Sequence, residues 1–200
     1  MANIKLTKNE LKSQKDSLKR FQRYLPTLIL KKQQLQMVIR QVEVKIKEVE
    51  KTREALYTSL QSWIAVYGEN LDLTPMIKIK NILKDTGNIA GVDIPVFTEL
   101  TFEKIEYDIF VLPLWVDKGL AAIKSMAAFD AEIEVLKEQI DLLGNELRIT
   151  TQRVNLFEKV KIPVTKENIR KIQIYLGDQQ TAAVVRGKMA KNKIVKVSQQ

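Results

Sequence analysis

Hydrophobic residues recur every seven positions along the first third of the chain. One column of the repeat contains Leu11, Leu18, Leu25, Lys32, Ile39, Ile46, Arg53, Leu60 and Tyr67. The other contains Gln14, Phe21, Leu28, Leu35, Val42, Val49, Leu56 and Trp63. All but Gln14, Lys32 and Arg53 are apolar or aromatic, and the positions between the columns are mostly charged or polar. A heptad pattern sustained over this length predicts a coiled-coil helix over residues 8–67.

The start of this helix carries a capping signal. Thr7 is followed three residues later by Glu10, which is the spacing of a capping box. Leu6 and Leu11 flank the cap as a hydrophobic staple would. Gly68 is a suitable helix end.

A second heptad array follows Pro113, a residue that suits the first turn of a helix. Its columns contain Met126, Phe129, Ile133, Leu136, Ile140, Leu143, Leu147, Thr150, Val154 and Phe157. The phase slips by one residue near Pro163 and resumes as Ile162, Thr165, Ile169, Ile172 and Leu176. The slip predicts a kink or a local stutter in the second helix. Beyond Leu176 the pattern fades, which predicts fraying.

The middle of the chain has a different composition. Residues 69–112 contain Pro75, Gly87, Gly91 and Pro95 among β-branched and aromatic residues. Alternating stretches predict an extended or helical lead-in and then a small β-hairpin within about residues 88–108. Because an isolated hairpin is marginal in water, we expect it to pack on the coil or on a partner.

Each heptad array presents a narrow apolar stripe that one helix cannot bury alone, so the two arrays most simply bury each other. The predicted fold is therefore all-α dominated, a long antiparallel two-helix coiled coil with a small β-hairpin in the central connection. The predicted segments are residues 1–68 (N-terminal helix), 69–112 (connection), 113–188 (C-terminal helix) and 189–200 (basic flexible tail). If the helices pair in this way, Pro26 and Pro163 fall at similar heights and bend both helices together.

The composition argues against a catalytic or metal-binding protein. Cysteine and histidine are both absent, which removes thiolate nucleophiles, zinc sites and histidine-based triads. The segment from Gly87 to Gly91 lacks the lysine of a phosphate-binding loop and is most simply a turn. Glu103, Glu106 and Asp108 fit a solvated face better than a catalytic pocket. We expect no cofactor, and neither a secretory signal nor a transmembrane span is expected.

The net charge of +9 is unevenly distributed along the chain. Basic residues dominate residues 1–32 and 159–200, and the segment between them is net acidic. In an antiparallel pair both basic segments lie at one end, where they require a partner. Nucleic acid is one class of partner, although the aromatic residues lie on or near the seam rather than on an exposed basic face. A protein cavity with acidic walls fits the arrangement at least as well.

Two charged residues, Lys32 and Arg53, interrupt the seam of the first helix. Their side chains either extend past the interface into water, or fix the register of the pair or contact a third protein. The sequence leaves both interpretations open.

Several stretches of the sequence resemble the D subunit of V-type and archaeal-type rotary ATPases. They are Leu6-Thr7-Lys8-Asn9-Glu10-Leu11, the segment from Leu18 to Lys32, Ala90-Gly91-Val92-Asp93-Ile94-Pro95-Val96, and above all the segment from Gln152 to Pro163 with its continuation to Leu176. The resemblance spans nearly the whole chain, in the same order. Gln33-Gln34-Leu35-Gln36, Gly177-Asp178-Gln179-Gln180-Thr181 and Pro26 depart from the family pattern, which indicates a divergent branch.

The resemblance implies a non-catalytic central rotor, or stalk, that couples ATP hydrolysis or synthesis to proton or sodium transport. In that family the paired termini enter a hexamer of catalytic and non-catalytic nucleotide-binding subunits (A and B type). The opposite end contacts a small companion F subunit and a coupling subunit on the membrane ring. The resemblance also implies one copy per complex, on the cytoplasmic side and peripheral to the membrane.

The residues expected to face the bore of the hexamer are basic and lie in the two terminal segments. They are Lys12, Lys19, Arg20, Lys31, Lys32, Lys159, Lys161, Arg170 and Lys171. The companion subunit is expected near residues 40–57 and 129–148. A nucleic-acid-binding coiled-coil arm and a self-associating scaffold remain the alternative functions.

Overall fold

A computed structural model describes residues 4–62, 73–105, 112–113 and 115–197. The elements, in chain order, are helix α1 (Lys8–Gln61), a short 3-10 helix (Thr74–Met76), strand β1 (Ile79–Ile89), strand β2 (Val92–Phe102), helix α2 (Val116–Asn155), a π-helical turn (Leu156–Lys161) and helix α3 (Ile162–Val197). Contacts divide the chain into two compact units. Unit 1 joins Met1–Leu30 with Thr150–Gln200, and unit 2 is Lys31–Ile149. The predicted fold class, helical with a small antiparallel hairpin in the connection, is confirmed.

The start of α1 follows the predicted cap. The backbone N–H of Glu10 donates to Oγ1 of Thr7 at 3.3 Å, and the N–H of Leu11 donates to the Thr7 carbonyl. The Glu10 carboxylate accepts a hydrogen bond from the Gln14 amide at 2.8 Å. The cap therefore fixes the helix start at Lys8. The predicted stop at Gly68 lies outside the described residues.

The heptad columns mark the buried face of the helices. Every predicted seam residue that the structure describes is buried or half-buried, and none is exposed. In unit 2, Val42, Ile46 and Leu136 form one buried cluster, with Val38, Val49 and Ile140 packed against it. The interface between the helices was therefore predictable from spacing alone.

Ion pairs show the relative direction of α1 and α2 in unit 2. Lys31 pairs with Glu146 at 2.6 Å, Lys45 pairs with Glu132 at 3.0 Å, and Arg53 pairs with Asp130 at 2.6 Å. As the residue number rises along α1 it falls along α2, so the helices are antiparallel. The charge of Arg53, which interrupts the seam, meets a carboxylate of the facing helix and thereby contributes to register.

Unit 1 is marked by an aromatic contact between the N-terminal part of α1 and the π-helical turn. The rings of Phe21 and Phe157 stack with a centroid distance of 5.4 Å. Pro26 follows Phe21 and Pro163 follows Phe157, so in an antiparallel pair the two prolines lie on opposite sides of this contact. At about 1.5 Å per residue they are roughly 15 Å apart along the axis. The expectation that they lie at similar heights is therefore wrong.

The predicted phase slip coincides with the π-helical turn. Residues Leu156–Lys161 are π-helical, and the N–H of Ile162 donates to the carbonyl of Phe157, five residues back. A π-helical turn adds one residue without ending the helix, which is the size of the slip in the heptad pattern. Pro163 follows directly and has no N–H to donate, so it weakens the regular α-helical ladder here.

The β-hairpin begins earlier than the sequence indicates. Its strands cover Ile79–Ile89 and Val92–Phe102, whereas the predicted hairpin lies within about residues 88–108. The two-residue loop has positive φ at both positions, 53° at Ala90 and 78° at Gly91. This backbone is that of a type I′ turn, which matches the twist of the strands. The Asn88 side chain donates to Asp93 and accepts from the N–H of Gly91, which braces the turn.

The hairpin packs on the helices of unit 2, as expected of a two-stranded sheet. Ile94 is buried with Leu35 of α1 and Leu143 of α2. Gln139 donates a hydrogen bond to the carbonyl of Pro95, and Lys84 pairs with Glu138 at 2.7 Å. At the open end of the hairpin, the Lys124 ammonium lies over the ring of Phe102. Strand β2 therefore runs along α2 in the opposite direction.

The ends of the second helical region also differ from the predicted segments. Helix α2 begins at Val116, where its N–H donates to the carbonyl of Pro113. Helix α3 continues to Val197, through most of the segment expected to be a flexible tail. Over residues 177–194 all side chains are exposed except Ala182, which is half-buried. The helix thus extends well beyond the last seam residue, Leu176.

Candidate protein-interaction surfaces

The basic residues of α1 in unit 1 form an exposed surface on one side of the helix. Lys12, Lys19 and Arg20 are all exposed, and Arg23 lies one turn further on. A shallow groove is lined by Asn9, Lys12, Ser13, Asp16, Lys19, Arg20 and Arg23. One guanidinium nitrogen of Arg20 donates to Oγ of Ser17 at 3.2 Å. The surface combines several cations with one carboxylate, which favours an anionic partner.

The basic candidates of the C-terminal region lie in the π-helical turn and in α3. Lys159 and Lys161 are exposed in the turn, and Arg170 and Lys171 are exposed in α3. Lys171 pairs with Glu167, one turn earlier, at 2.7 Å. The hydrogen bond and the charge of Lys171 lower the pKa of the Glu167 carboxyl from its usual value, and the charge of Arg170 adds to this.

Unit 1 therefore contains seven of the nine predicted bore residues. The other two, Lys31 and Lys32, belong to unit 2. Lys31 is paired with Glu146, and Lys32 is half-buried at its seam position. Four cations of unit 2 form ion pairs with carboxylates on another element of the same unit. They are Lys31, Lys45, Arg53 and Lys84.

An exposed surface on α1 of unit 2 overlaps the start of the segment expected to hold the companion subunit, residues 40–57. Met37 and Val44 are exposed and seven residues apart, on the side of α1 away from the seam. They line a shallow groove together with Gln33, Gln36, Arg40 and Gln41. Two exposed apolar side chains bordered by amides and one arginine suit a protein interface, where methionine and arginine are enriched.

Exposed apolar residues of the C-terminal region are the feature that the sequence interpretation missed. Leu156, Val160 and Val164 lie in or next to the π-helical turn, and Val184, Val185 and Met189 lie near the end of α3. The phase slip could have found Val164, because this residue would occupy the seam in an uninterrupted heptad pattern. Leu156 and Val160 lie outside the seam in either phase, so no sequence signal marked them.

The acidic side chains of the described residues are the candidate ligands for a metal site. Among them no group of three or more acidic side chains could hold a metal ion. Of the three neighbouring carboxylates, Glu103 is exposed, and Glu106 and Asp108 lie outside the described residues. Within the parts of the chain that the structure describes, no helix has the length and hydropathy needed to cross a membrane.

The fold and its surfaces define an antiparallel coiled-coil protein whose exposed features are suited to contacts with other proteins. The sequence profile of the ATP synthase D subunit matches residues 10–192. The D subunit of a V-type ATP synthase from Borreliella burgdorferi is 54% identical over 198 residues, which is 98% of this chain and 97% of that protein. Its counterpart from Chlamydia pneumoniae is 36% identical over 194 residues, 96% of this chain and 93% of that protein. The chain belongs to the family of ATP synthase D subunits, and the resemblance seen in its sequence is confirmed.

Proposed function

We propose that the chain is the non-catalytic central rotor, or stalk, subunit of a V/A-type rotary ATPase. In this role it couples ATP hydrolysis or synthesis in a ring of A-type and B-type subunits to proton or sodium transport. The companion F subunit binds near residues 40–57 and 129–148, and a coupling subunit links the chain to the membrane ring. The protein works on the cytoplasmic side without inserting into the membrane.

The observation that carries this proposal is the end of α3. A single helix with exposed apolar side chains does not bury them by itself and is weakly stable in water. Val184 and Val185 are adjacent and exposed, so they face different sides of the helix. Arg186, Lys188, Lys191 and Lys193 are interspersed with them. Adjacent residues are about 100° apart around the helix, so a partner must cover a broad face to bury both. A surface with apolar and acidic groups, such as the wall of a cavity that receives the helix, fits best.

The basic surface of unit 1 supports the same role. The proposed bore contacts in unit 1 are Lys12, Lys19, Arg20, Lys159, Lys161, Arg170 and Lys171. Those in unit 2 are Lys31 and Lys32. The continuous seam of α1 gives the stiffness that torque transmission requires. An asymmetric shaft would present a different face to each equivalent site of the ring, so the nucleotide affinities of the sites would differ.

A reconstitution tests this function. Purified A-type and B-type subunits are mixed with the full chain, with a chain truncated after Gly177, or with a variant carrying Lys12→Gln, Lys19→Gln and Arg20→Gln. We expect the full chain to co-purify with the ring and to have no ATPase activity alone. The truncation and the triple variant should each bind at least about tenfold more weakly, equivalent to about 1.4 kcal/mol. The single substitution Lys45→Gln, in a cation already paired within unit 2, is the matched control and should bind normally.

Nucleic-acid binding through the basic groove of α1 is the competing function. A gel shift of the full chain with a short duplex at about 50 and about 200 mM salt separates the two proposals. Tight, strongly salt-dependent binding to the duplex, together with no binding to the ring, would replace the rotor proposal with the nucleic-acid arm.

A further inference from the structure

An exposed apolar column runs along the π-helical turn of unit 1. Leu156, Val160 and Val164 are 44%, 47% and 48% exposed. They are spaced by four residues, so they lie on one side of the helix. That side is not the seam, because Phe157 stacks on Phe21 and Val154 is buried. Contiguous exposed apolar side chains of this kind mark interaction surfaces in soluble proteins.

The π-helical turn itself puts Val164 into this column. In an uninterrupted heptad pattern the seam residues after Phe157 would be Lys161 and Val164. The extra residue of the π-helical turn replaces them in the seam with Ile162 and Thr165. As a result Thr165 is 5% exposed and Val164 is 48% exposed.

The exchange has opposite effects on apolar burial at the two seam positions. It places Ile162 where Lys161 would lie, which gains apolar burial, and it places Thr165 where Val164 would lie. A buried hydroxyl needs a hydrogen-bond acceptor, and Thr165 finds one in the carbonyl of Lys161. Placing valine in the seam and threonine outside would bury more apolar surface without that requirement. The shift therefore keeps the seam apolar further along α3 and leaves Val164 exposed beside it. Helical turns of the π type occur frequently at functional sites.

Charged neighbours indicate the chemistry of the partner. Lys159, Lys161 and Lys166 are exposed beside the column. The acidic residues of this stretch are Glu158 and Glu167, and Glu167 is paired with Lys171. None of the three lysines lies within ion-pair distance of a carboxylate in the part of the chain that the structure describes. The edge of the column is thus net positive, and complementary charge on a partner would steer and orient docking.

We propose that Leu156, Val160 and Val164 form a docking surface for an aliphatic patch bordered by carboxylates on a partner protein, and that the π-helical turn presents it. The inference rests on the proposed function, and the partner it names is a nucleotide-binding subunit of the ring. It goes beyond the basic bore contacts because it assigns affinity to apolar residues outside the seam.

Binding of the full chain to the reconstituted ring tests the docking surface. The variant carries Leu156→Gln, Val160→Thr and Val164→Thr, which keep side-chain size and, at the two valines, β-branching. The matched control carries Leu83→Gln, Ile79→Thr and Val96→Thr, three exposed apolar positions of the hairpin that belong to none of the proposed binding surfaces. Circular dichroism establishes that both variants retain their helices and their thermal unfolding. We expect the first variant to bind the ring at least about tenfold more weakly, and the control to change Kd by less than about twofold.

The lysines give a second readout. Replacing Lys159 and Lys161 by glutamine should reduce the slope of log Kd against log salt, whereas the apolar variant should keep the slope of the unmodified chain. If the wild-type chain and the apolar variant bind the ring equally well, the docking surface is overturned and the rotor proposal stands. Wild-type chain that does not bind the ring would overturn both. A third outcome is a free chain that sediments as a dimer and an apolar variant that sediments as a monomer. That result would identify a second copy of the chain as the occupant of the surface and would also overturn the inference.

Discussion

Leu30 and Leu35 lie close together on α1 and differ almost completely in their surroundings. Leu35 is 0% exposed between Ile94 of the hairpin and Leu143 of α2, whereas Leu30 is 62% exposed. Replacing Leu35 by alanine removes buried methyl groups and leaves a cavity, which costs about 2–5 kcal/mol. Leu30→Ala, the matched control, should change the free energy of unfolding by less than about 0.5 kcal/mol. Urea unfolding followed by circular dichroism measures both, and equal effects would contradict the packing of the hairpin on the helices.

At the same scale, Lys171 is the main cause of the lowered pKa of the Glu167 carboxyl, and the charge of Arg170 adds to it. This pKa is lowered first by the hydrogen bond from Lys171 and then by the charge of Lys171. A carboxyl with a lowered pKa stabilises the folded state above its ordinary pKa, and that contribution is lost as the pH falls through the lowered value. Lys171→Gln should therefore raise the pKa of Glu167 toward its ordinary value in a carbon-13 NMR titration.

Lys166→Gln is the control for this titration, because Lys166 is adjacent to Glu167 in sequence but does not pair with it among the described ion pairs. It should leave the pKa of Glu167 nearly unchanged. A pKa that stays low in the Lys171→Gln variant would contradict the ion pair.

Among the elements, the hairpin turn is the one whose backbone depends on a particular glycine. Gly91 has a φ of 78°, and no atom lies within 4 Å of where a Cβ would be. The penalty of Gly91→Ala is thus conformational, about 1–2 kcal/mol for an L residue in the left-handed region. Gly144 lies inside α2 of the same unit, also with space for a Cβ, so Gly144→Ala should stabilise by about 0.5–1 kcal/mol.

Thermal unfolding of these two variants should give shifts in opposite directions. The same chemical change is made in each, so composition and unfolded-chain effects are matched. Stabilisation by Gly91→Ala would contradict the type I′ turn.

The elements also show how far the sequence determines structure. Seam residues such as Leu35 and Ile172 were predictable because a heptad repeat directly encodes a buried stripe. The start of β1 was not, because nearly all its side chains are exposed and its extent is set by pairing with β2 rather than by its own alternation.

The candidate surfaces also contain residues that were predictable from the sequence and residues that were not. Lys159 and Lys161 were predictable from charge, but Val160 was not, since a lone apolar residue outside the seam is ordinary on a protein surface. The phase slip near Pro163 predicted a change in helix geometry at that point, but not which change. A kink, a stutter and a π-helical turn all shift the phase, and only the hydrogen bond from Ile162 to Phe157 distinguishes the π-helical turn.

For the whole molecule, the described helices differ in how their side chains are covered. In unit 2 the α1 segment around Leu35 and Val42 is packed against both α2 and the hairpin. In unit 1 the α3 segment over residues 177–194 is exposed along nearly its entire length. Local opening is governed by such packing, and its free energy ranges from about zero at poorly packed ends to the global value in packed helices.

Hydrogen–deuterium exchange of the free chain should therefore reveal two classes of helical amides. Amides of residues 177–194 should exchange orders of magnitude faster than those of residues 35–49, although both segments are helical. In the chain assembled with the nucleotide-binding ring, residues 177–194 should become protected, because an enclosing cavity would cover the apolar side chains at Val184, Val185 and Met189. Residues 35–49 are already packed and serve as the internal control. Protection of residues 177–194 in the free chain would contradict the need for an enclosing partner, and unchanged fast exchange in the assembly would contradict insertion of this end into the ring.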